Sequence, residues 1–335
     1  MAISNDVLSS TLRILLEEEV DNLFKATPLL DQMKKKGRID LYDGGQKLDV
    51  PLILAEHSSI TQLSSGYEPV NLAVQDAMRN ASYNWCDFVA PIVITEKEEL
   101  SNKGERAIVS IAEARMKSVM GLLQREFEKQ IIAGTSTVLS ELNTLNGVDK
   151  TGFLEENAFG SQTNSVGGIL KSDFPNDYQN QIKDSASGFG GGAGTGITDL
   201  TDLYIDCQLR TPGAGAPDLI LCSPNMYSLY KGLLFNNERF INESALDGGK
   251  LSLAFHGAQM YVDPFLPAAG APKTISAYAL NTDYIRLAMD SDANFRMSDF
   301  EMISGYCARS AKIYTRVQLY AEHLASQGLL VDAEA

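Results

Sequence analysis

The stretch best suited by residue type to hold a ligand is the run Gly188-Phe189-Gly190-Gly191-Gly192-Ala193-Gly194-Thr195-Gly196. A glycine-rich turn that feeds a helix N-terminus can present backbone N–H groups to a phosphate. The context argues against that use. The preceding Lys183-Asp184-Ser185-Ala186-Ser187 is polar and reads as loop, no G-x-x-x-x-G-K-S/T pattern is present, and Gly188-x-Gly190-x-x-Ala193 matches the dinucleotide fingerprint only loosely. The run is therefore expected to be a surface loop. His57, His256 and His323 are far apart, with neither H-x-x-x-H nor H-E-x-x-H spacing, so they suggest no metal set or histidine base. Cys86, Cys207, Cys222 and Cys307 form no C-x-x-C pair and are expected to act as small buried hydrophobes. No G-x-S-x-G elbow occurs, and Glu17-Glu18-Glu19 and Glu96, Glu98 and Glu99 read as solvated faces. No catalytic, cofactor-binding or metal residue is assigned, and the chain is read as a non-enzyme.

The elements that would position any chemistry are clearer than the chemistry. With 335 residues, 44% of them hydrophobic, the chain can bury one large core or two to three smaller ones. Leu12, Leu15, Leu16, Val20, Leu23 and Phe24 recur at helical spacing, and Thr27-Pro28 is expected to end that helix. Ile39, Leu41, Leu48, Val50 and Leu52 then alternate with polar residues on either side of Asp43-Gly44-Gly45-Gln46, which predicts a β-hairpin about that turn. An extended segment returns from Val74 to Ala90. Ile108, Ile111, Ala112, Met116, Val119, Leu123, Phe127 and Ile131 draw one apolar stripe on a helix over residues 102–133, capped by Asn102 and closed by Gly134. About 30 residues at a rise of 1.5 Å make roughly 45 Å, long for a globular helix.

Residues 135–196 are turn-rich. Beyond them the pattern predicts a helix from Ile197 capped by Thr198, a buried strand at Asp218–Cys222, a second helix capped by Ser223, and a strand over Phe255–Val262. Strands are predicted at Ile275–Leu280, Ile285–Met289 and Ala311–Tyr320, the last with Ile313, Thr315, Val317 and Leu319 on one face. The mixture predicts an α+β protein.

A net charge of −15 is poor for gripping nucleic acid by counterion release, although it suits the wall of a container that DNA must not stick to. The one basic cluster, Lys34, Lys35, Lys36 and Arg38, could face solvent, an acidic patch on a second copy, or nucleic acid. Met1 to Asp6 lacks a signal-peptide pattern and no run approaches ~18 apolar residues, so no membrane role is expected.

The order of parts, a segment built round Asp43-Gly44-Gly45-Gln46, one long helix and a β-rich ending with Ala311-Lys312-Ile313-Tyr314-Thr315-Arg316-Val317, resembles the major capsid proteins of tailed double-stranded DNA bacteriophages, the Hong Kong 97-type capsid fold. The resemblance implies an N-terminal arm (1–37), an extended loop (38–90), a peripheral domain (91–145, with the spine helix 102–133), an axial domain with a central mixed sheet (146–266), and a return to the peripheral domain with the C-terminus (267–335). It implies self-assembly into pentamers and hexamers of an icosahedral head. It also implies a separate scaffolding protein, a portal and possibly a cement protein as partners, enclosed double-stranded DNA, and a virion assembled in the host cytoplasm. Arg38 at the base of the loop, and Tyr42, Lys47 and Leu48 near its tip, become the candidates for contact between subunits, and deleting Leu41 to Lys47 is expected to spare the fold while preventing closed shells. An encapsulin-like compartment shell is the alternative that shares the fold. An α/β nucleotide-binding enzyme using 188–196 is the alternative that does not.

Overall fold

The structure, a computed structural model, describes residues 28–54, 62, 77–101, 115–116, 118–119, 121–123, 125–127, 129–132, 139–140, 142, 152–185, 188–189, 195–234, 252–263, 265–266 and 275–332. The expected first helix and most of the glycine run lie outside them, as do His57 and the start of the long helix.

The described chain opens with helix α1 (Pro28–Lys35). The sequence reading ended a helix at Thr27-Pro28. That expected helix lies outside the described residues, and a further helix begins at Pro28, because proline's fixed φ suits the first helical position, where an N–H has no partner to lose. Leu29, Leu30 and Met33 are fully buried, each worth about 1.5–3 kcal/mol of apolar transfer. Gly37 takes φ +64° and ends the helix, while Arg38 N–H donates back to Met33 O at 2.8 Å.

Strand β1 (Ile39–Tyr42) runs parallel to β12 (Ile285–Asp290), which pairs antiparallel with β15 (Ala308–Ala321). The other edge of β15 carries β4 (Cys86–Thr95) in unbroken register from Ala308↔Thr95 to Val317↔Cys86. Two short strands, β13 (Arg296–Met297) and β14 (Glu301–Met302), complete this six-stranded long sheet. Helix α2 (Glu96–Ser101) follows β4 directly. Every described residue between 115 and 132 is helical, and this helix, α3, lies on the long sheet, with Phe127 edge-on to Phe88 at 5.6 Å between ring centroids.

The second sheet has the order β7 (Gln181–Asp184), β16 (Gly328–Val331), β11 (Ile275–Leu280), β8 (Leu219–Cys222), β10 (Ala258–Val262) and β9 (Ser252–Phe255). The single strand expected over Phe255–Val262 is therefore the end of one strand and all of the next, turned at His256 (φ +47°) and Gly257 (φ +94°). Helices α4 (Gly196–Arg210) and α5 (Pro224–Leu234) cover one face, where Leu203, Cys207 and Met226 meet Ile220, Cys222 and Ala277. Leu219, Leu221, Tyr278 and Leu329 point the other way, into the core shared with α1 and the long sheet. Ser223 caps α5 as expected, its Oγ accepting from Met226 N–H at 3.0 Å. The α4 cap is Thr195 rather than Thr198. The chain passes between the sheets twice in this C-terminal part, at 281–284 and at 322–327.

Candidate assembly surfaces

β2 (Lys47–Ile53) and β3 (Met78–Asn84) form an antiparallel ribbon separate from both sheets, in register from Lys47↔Asn84 to Ile53↔Met78. This corrects the predicted hairpin. Alternating residues do flank Asp43-Gly44-Gly45-Gln46, but β1 is committed to β12 and β2 to β3, so the turn is a corner by which the chain leaves the long sheet for the ribbon. Gly44 (φ +74°) and Gly45 (φ +115°) supply the backbone that the corner needs. Period-two alternation identifies strands but does not name their partners. Deleting Leu41 to Lys47 would thus remove part of the ladder to Met289 and Asp290, and is not a mild change.

One ribbon face is built into the subunit. Leu48, Val50, Leu52, Ala81 and Tyr83 are buried. Beneath them lies a two-residue hairpin joining β5 (Ser165–Val166) and β6 (Ile169–Leu170) through Gly167 (φ +56°) and Gly168 (φ +80°), the two left-handed positions of a tight hairpin turn. Gly167 O accepts from Ser82 N–H at 2.8 Å, and a Cβ on Gly167 would stand 2.7 Å from Ala81 Cβ. Gly167→Val is expected to cost about 3 kcal/mol through overpacking and left-handed strain, and to expose the ribbon's inner face. Denaturant unfolding measures the first effect, and amide exchange across 78–84 the second.

The outer face of the ribbon grades from polar to apolar. Lys47/Asn84 and Asp49/Ser82 pair near its base, whereas Ile53 (75% exposed) and Met78 (59%) pair at its far end. Of the four contact candidates, Lys47 and Leu48 sit at the base of the ribbon and not at its tip, while Tyr42 ends β1 and Arg38 precedes it. Leu48 faces inward. Tyr42 meets the Tyr320 hydroxyl at 3.2 Å and packs edge-on to Trp85. Arg38 pairs with Asp283 at 3.3 Å. Lys47 is exposed on the outer face.

The basic cluster also finds acidic partners inside its own chain. Lys36 Nζ lies 3.2 Å from Asp218 and 3.0 Å from Asp283, and Gln32 Nε2 donates to Gln259 at 2.7 Å. Asp218 leads into β8, and Asp283 lies in the crossing between the sheets, so α1 ties both sheets together at their joint. Burial pushes the Asp283 carboxyl up, but hydrogen bonds and charge from Lys36 and Arg38 outweigh it and hold the carboxyl below its ordinary range. Burial likewise lowers Lys36, and Asp283 and Asp218 more than restore it. A carboxylate with a depressed pKa stabilises above its unfolded value near ~3.9, and that stabilisation is lost as pH falls through the folded value. Asp283→Asn is therefore expected to cost up to about 1 kcal/mol at neutral pH, since these groups are partly exposed, and the difference from the unsubstituted protein is expected to shrink as pH falls below the unfolded value. Denaturant midpoints followed from neutral pH into the acid range check this.

The remaining chemistry candidates resolve individually. A strand, β7, does precede the glycine run, contrary to the loop reading of Lys183 and Asp184, and α4 follows it. The N-terminus of α4 nonetheless already holds an anion: the Asp199 carboxylate accepts from Ser185 Oγ at 2.8 Å and Thr195 Oγ1 at 2.6 Å. The buried Phe189 ring fills the space beside Gly196, where a Cβ would meet it at 2.7 Å. A phosphate arriving there would face a carboxylate and a phenyl ring. Cys86, Cys207 and Cys222 are buried, and burial raises the Cys86 thiol to about 11. Cys307 is exposed at the turn before β15, against the expectation for all four. His256 meets Phe255 edge-on and lies tilted against Tyr204, and burial lowers the pKa of His323. Among the described residues no group of acidic, histidine and cysteine side chains could hold a metal ion, and no helix is long and apolar enough to cross a membrane.

A polar cluster that sequence reasoning missed lies in 153–181. Lys171, Gln162, Gln179 and Asn180 are buried with Glu155, and almost every polar atom is partnered. Spread over 26 turn-rich residues without a repeating spacing, it left no sequence signal.

No protein-family profile and no curated protein matches this chain. Its shape does match solved structures. It superposes on the capsid of cyanophage A-1(L) with a TM-score of 0.60 at 13% identity, covering 89% of this chain and 91% of that one. The capsid of an empty GTA particle gives 0.56 at 12% identity, covering 89% of both chains. The SrpI encapsulin of Synechococcus elongatus gives 0.55 at 10% identity, covering 91% of this chain and 88% of that one. Two sheets sharing a core, a long helix on one of them and a ribbon leaving its end are thus the arrangement of these shell proteins, and the chain has the Hong Kong 97-type capsid fold.

Proposed function

We propose that this protein is the subunit of a closed icosahedral shell, most simply the major capsid protein of a tailed bacteriophage, acting structurally and not as an enzyme. The observation that carries the reading is the ribbon. A two-stranded ribbon is marginal alone. Here the subunit supports only its inner face, while the paired Ile53 and Met78 stand exposed at its far end. Whole-length similarity of shape to phage capsids supports the same reading. In it, residues 1–37 form an arm, the ribbon and its connection form the extended loop, the long sheet with α3 forms the peripheral domain, and the second sheet with α4 and α5 forms the axial domain. Ile53, Met78 and Lys47 contact a neighbouring copy. A head-to-tail contact of this kind closes into rings by rotation, and rings of five and six tile a shell.

The acidic surface suits a wall that encloses DNA without holding it. A separate scaffolding protein and a portal are the partners of such a head, with a cement protein as an optional third, and host cytoplasm is where it would assemble. The encapsulin match favours one second reading, a compartment around an enzyme cargo. Mass spectrometry of particles purified from the native source separates the two. Co-purifying portal protein and DNA support the phage head, whereas a single cargo enzyme without DNA replaces it with the compartment.

A further inference from the structure

The chain crosses between the two sheets at 281–284 and again at 322–327, and the two crossings hold each other. Gln327 Oε1 accepts from Asn281 N–H at 2.8 Å, and Gln327 Nε2 donates to Asn281 O at 3.1 Å. Glu322 N–H donates to Tyr284 O at 2.8 Å. His323 lies in the second crossing with its ring against Tyr284 of the first, the centroids 5.4 Å apart. Tyr284 is itself fixed, its Oη donating to Pro212 O at 3.1 Å. The His323 carbonyl accepts from Ser326 Oγ at 3.0 Å and from Gln327 Nε2 at 3.4 Å, so this residue also braces the glutamine that joins the crossings.

The ring suits this place only while it is neutral. Its Nδ1 is buried and has no hydrogen-bond partner among the described residues. A neutral imidazole can leave one nitrogen as a bare acceptor, whereas the imidazolium carries N–H on both. Protonation would therefore set a donor and a positive charge in a buried position that offers that nitrogen no acceptor. Burial holds the ring's pKa below 6.5, outweighing the pull of Asp177 in the 153–181 segment, which favours the charged form. The other charged groups of the joint are engaged with one another: Lys36 with Asp218 and Asp283, Arg38 with Asp283, and Arg286 with Asp40 and Glu322. Asp283, kept ionised by Lys36 and Arg38 despite partial burial, loses those pairs in acid, so the joint gathers two groups that respond in the same direction.

We propose that the joint between the sheets is an acid-sensitive hinge triggered at His323. Protonation drives the ring off Tyr284, opens the Gln327–Asn281 clasp, and lets the second sheet turn against the long sheet while both stay folded. The opened ring takes up a proton near 6.5, and the packed ring only at lower pH. Protection of the joint is thus full above that value and falls with pH below it, by about tenfold per unit, until the packed ring itself is protonated. The hinge belongs to the single subunit and needs no assembly.

Hydrogen exchange of the full chain, at about pH 7.5 and about pH 5 and corrected for intrinsic rates, tests the hinge. Exchange in 281–284 and 322–327 is expected to be about tenfold faster or more at the lower pH, while β8 and β15 keep their protection. His323→Phe keeps a ring on Tyr284 that takes no proton, and its crossings are expected to accelerate by less than about threefold. Equal protection at the two pH values in the unsubstituted chain would overturn the proposal. So would the same acceleration in His323→Phe, which assigns the response to Asp283 and its partners. An NMR titration of the His323 ring in the unsubstituted chain needs no variant: a midpoint below 6.5 is expected, and one at or above 6.5 would overturn the proposal as well.

Discussion

Shortening the ribbon, by replacing residues 51–80 with a two-residue Asn-Gly turn, is expected to leave a folded subunit that no longer closes shells. The change keeps the ladder from Lys47↔Asn84 to Val50↔Ala81 and the support of Gly167 beneath it, while taking the buried Leu52 and Leu54 from the rim of the core. It removes Ile53 and Met78, the apolar pair that the described subunit leaves exposed. Two such side chains, buried against a neighbour, would contribute about 3–6 kcal/mol per contact, repeated at every contact of the lattice. A lattice sums many weak contacts, so losing that much at each one eliminates closed particles instead of merely reducing their yield. Sedimentation should show monomers or open rings, while circular dichroism still reports a folded chain and the denaturant midpoint falls only by the loss of Leu52 and Leu54. Closed shells from the shortened chain would remove the ribbon from the assembly mechanism.

The second large effect is expected at Lys171→Ala. The substitution strips one hydrogen bond each from Phe153 O, Gln162 Oε1 and Asn180 Oδ1, and leaves Glu155 in the interior without its nearby positive charge. Removing one member of a buried charge network costs about 3–5 kcal/mol, because the partners stay desolvated while their compensation is gone. The loss should fall first on 153–181 and then on the ribbon that rests on β5–β6. Amide exchange in 153–181 and 78–84 is therefore expected to accelerate more than in β11 or β15. A variant as stable as the unsubstituted chain, with unchanged exchange in both segments, would show that the cluster is ornamental to the fold.

What could be read in the sequence follows from the range of each physical signal. β15 was legible because Ile313, Thr315 and Val317 are buried on one face while Lys312, Tyr314 and Arg316 are more exposed, and local alternation reports that directly. β8, β11 and β12 were legible as short apolar runs between turns, and α5 through its cap. The partner of a strand is a long-range property. Ile39–Leu41 and Leu48–Leu52 alternate equally well whether they pair with each other or, as here, with β12 and β3.

Helix α1 was missed because a proline both ends helices and begins them. β7 was missed because its Lys183 and Asp184 read as loop, although it is an edge strand bonded on one side to β16. Of the candidate contact residues, Tyr42 and Arg38 were placed by their position in the predicted hairpin, and both have partners inside the subunit, Tyr320 and Asp283. No residue-type signal distinguishes a tyrosine or arginine satisfied within its own chain from one awaiting a neighbour. Exposure does so, and it is visible only once the fold is known.

The central claim, that this chain builds shells, is tested most directly by electron microscopy of the purified full chain, with sedimentation, after expression together with its neighbouring genes. The account predicts closed particles or rings of five and six subunits, with each ribbon lying on the next copy. A monomer or small dimer under every condition tried would contradict it.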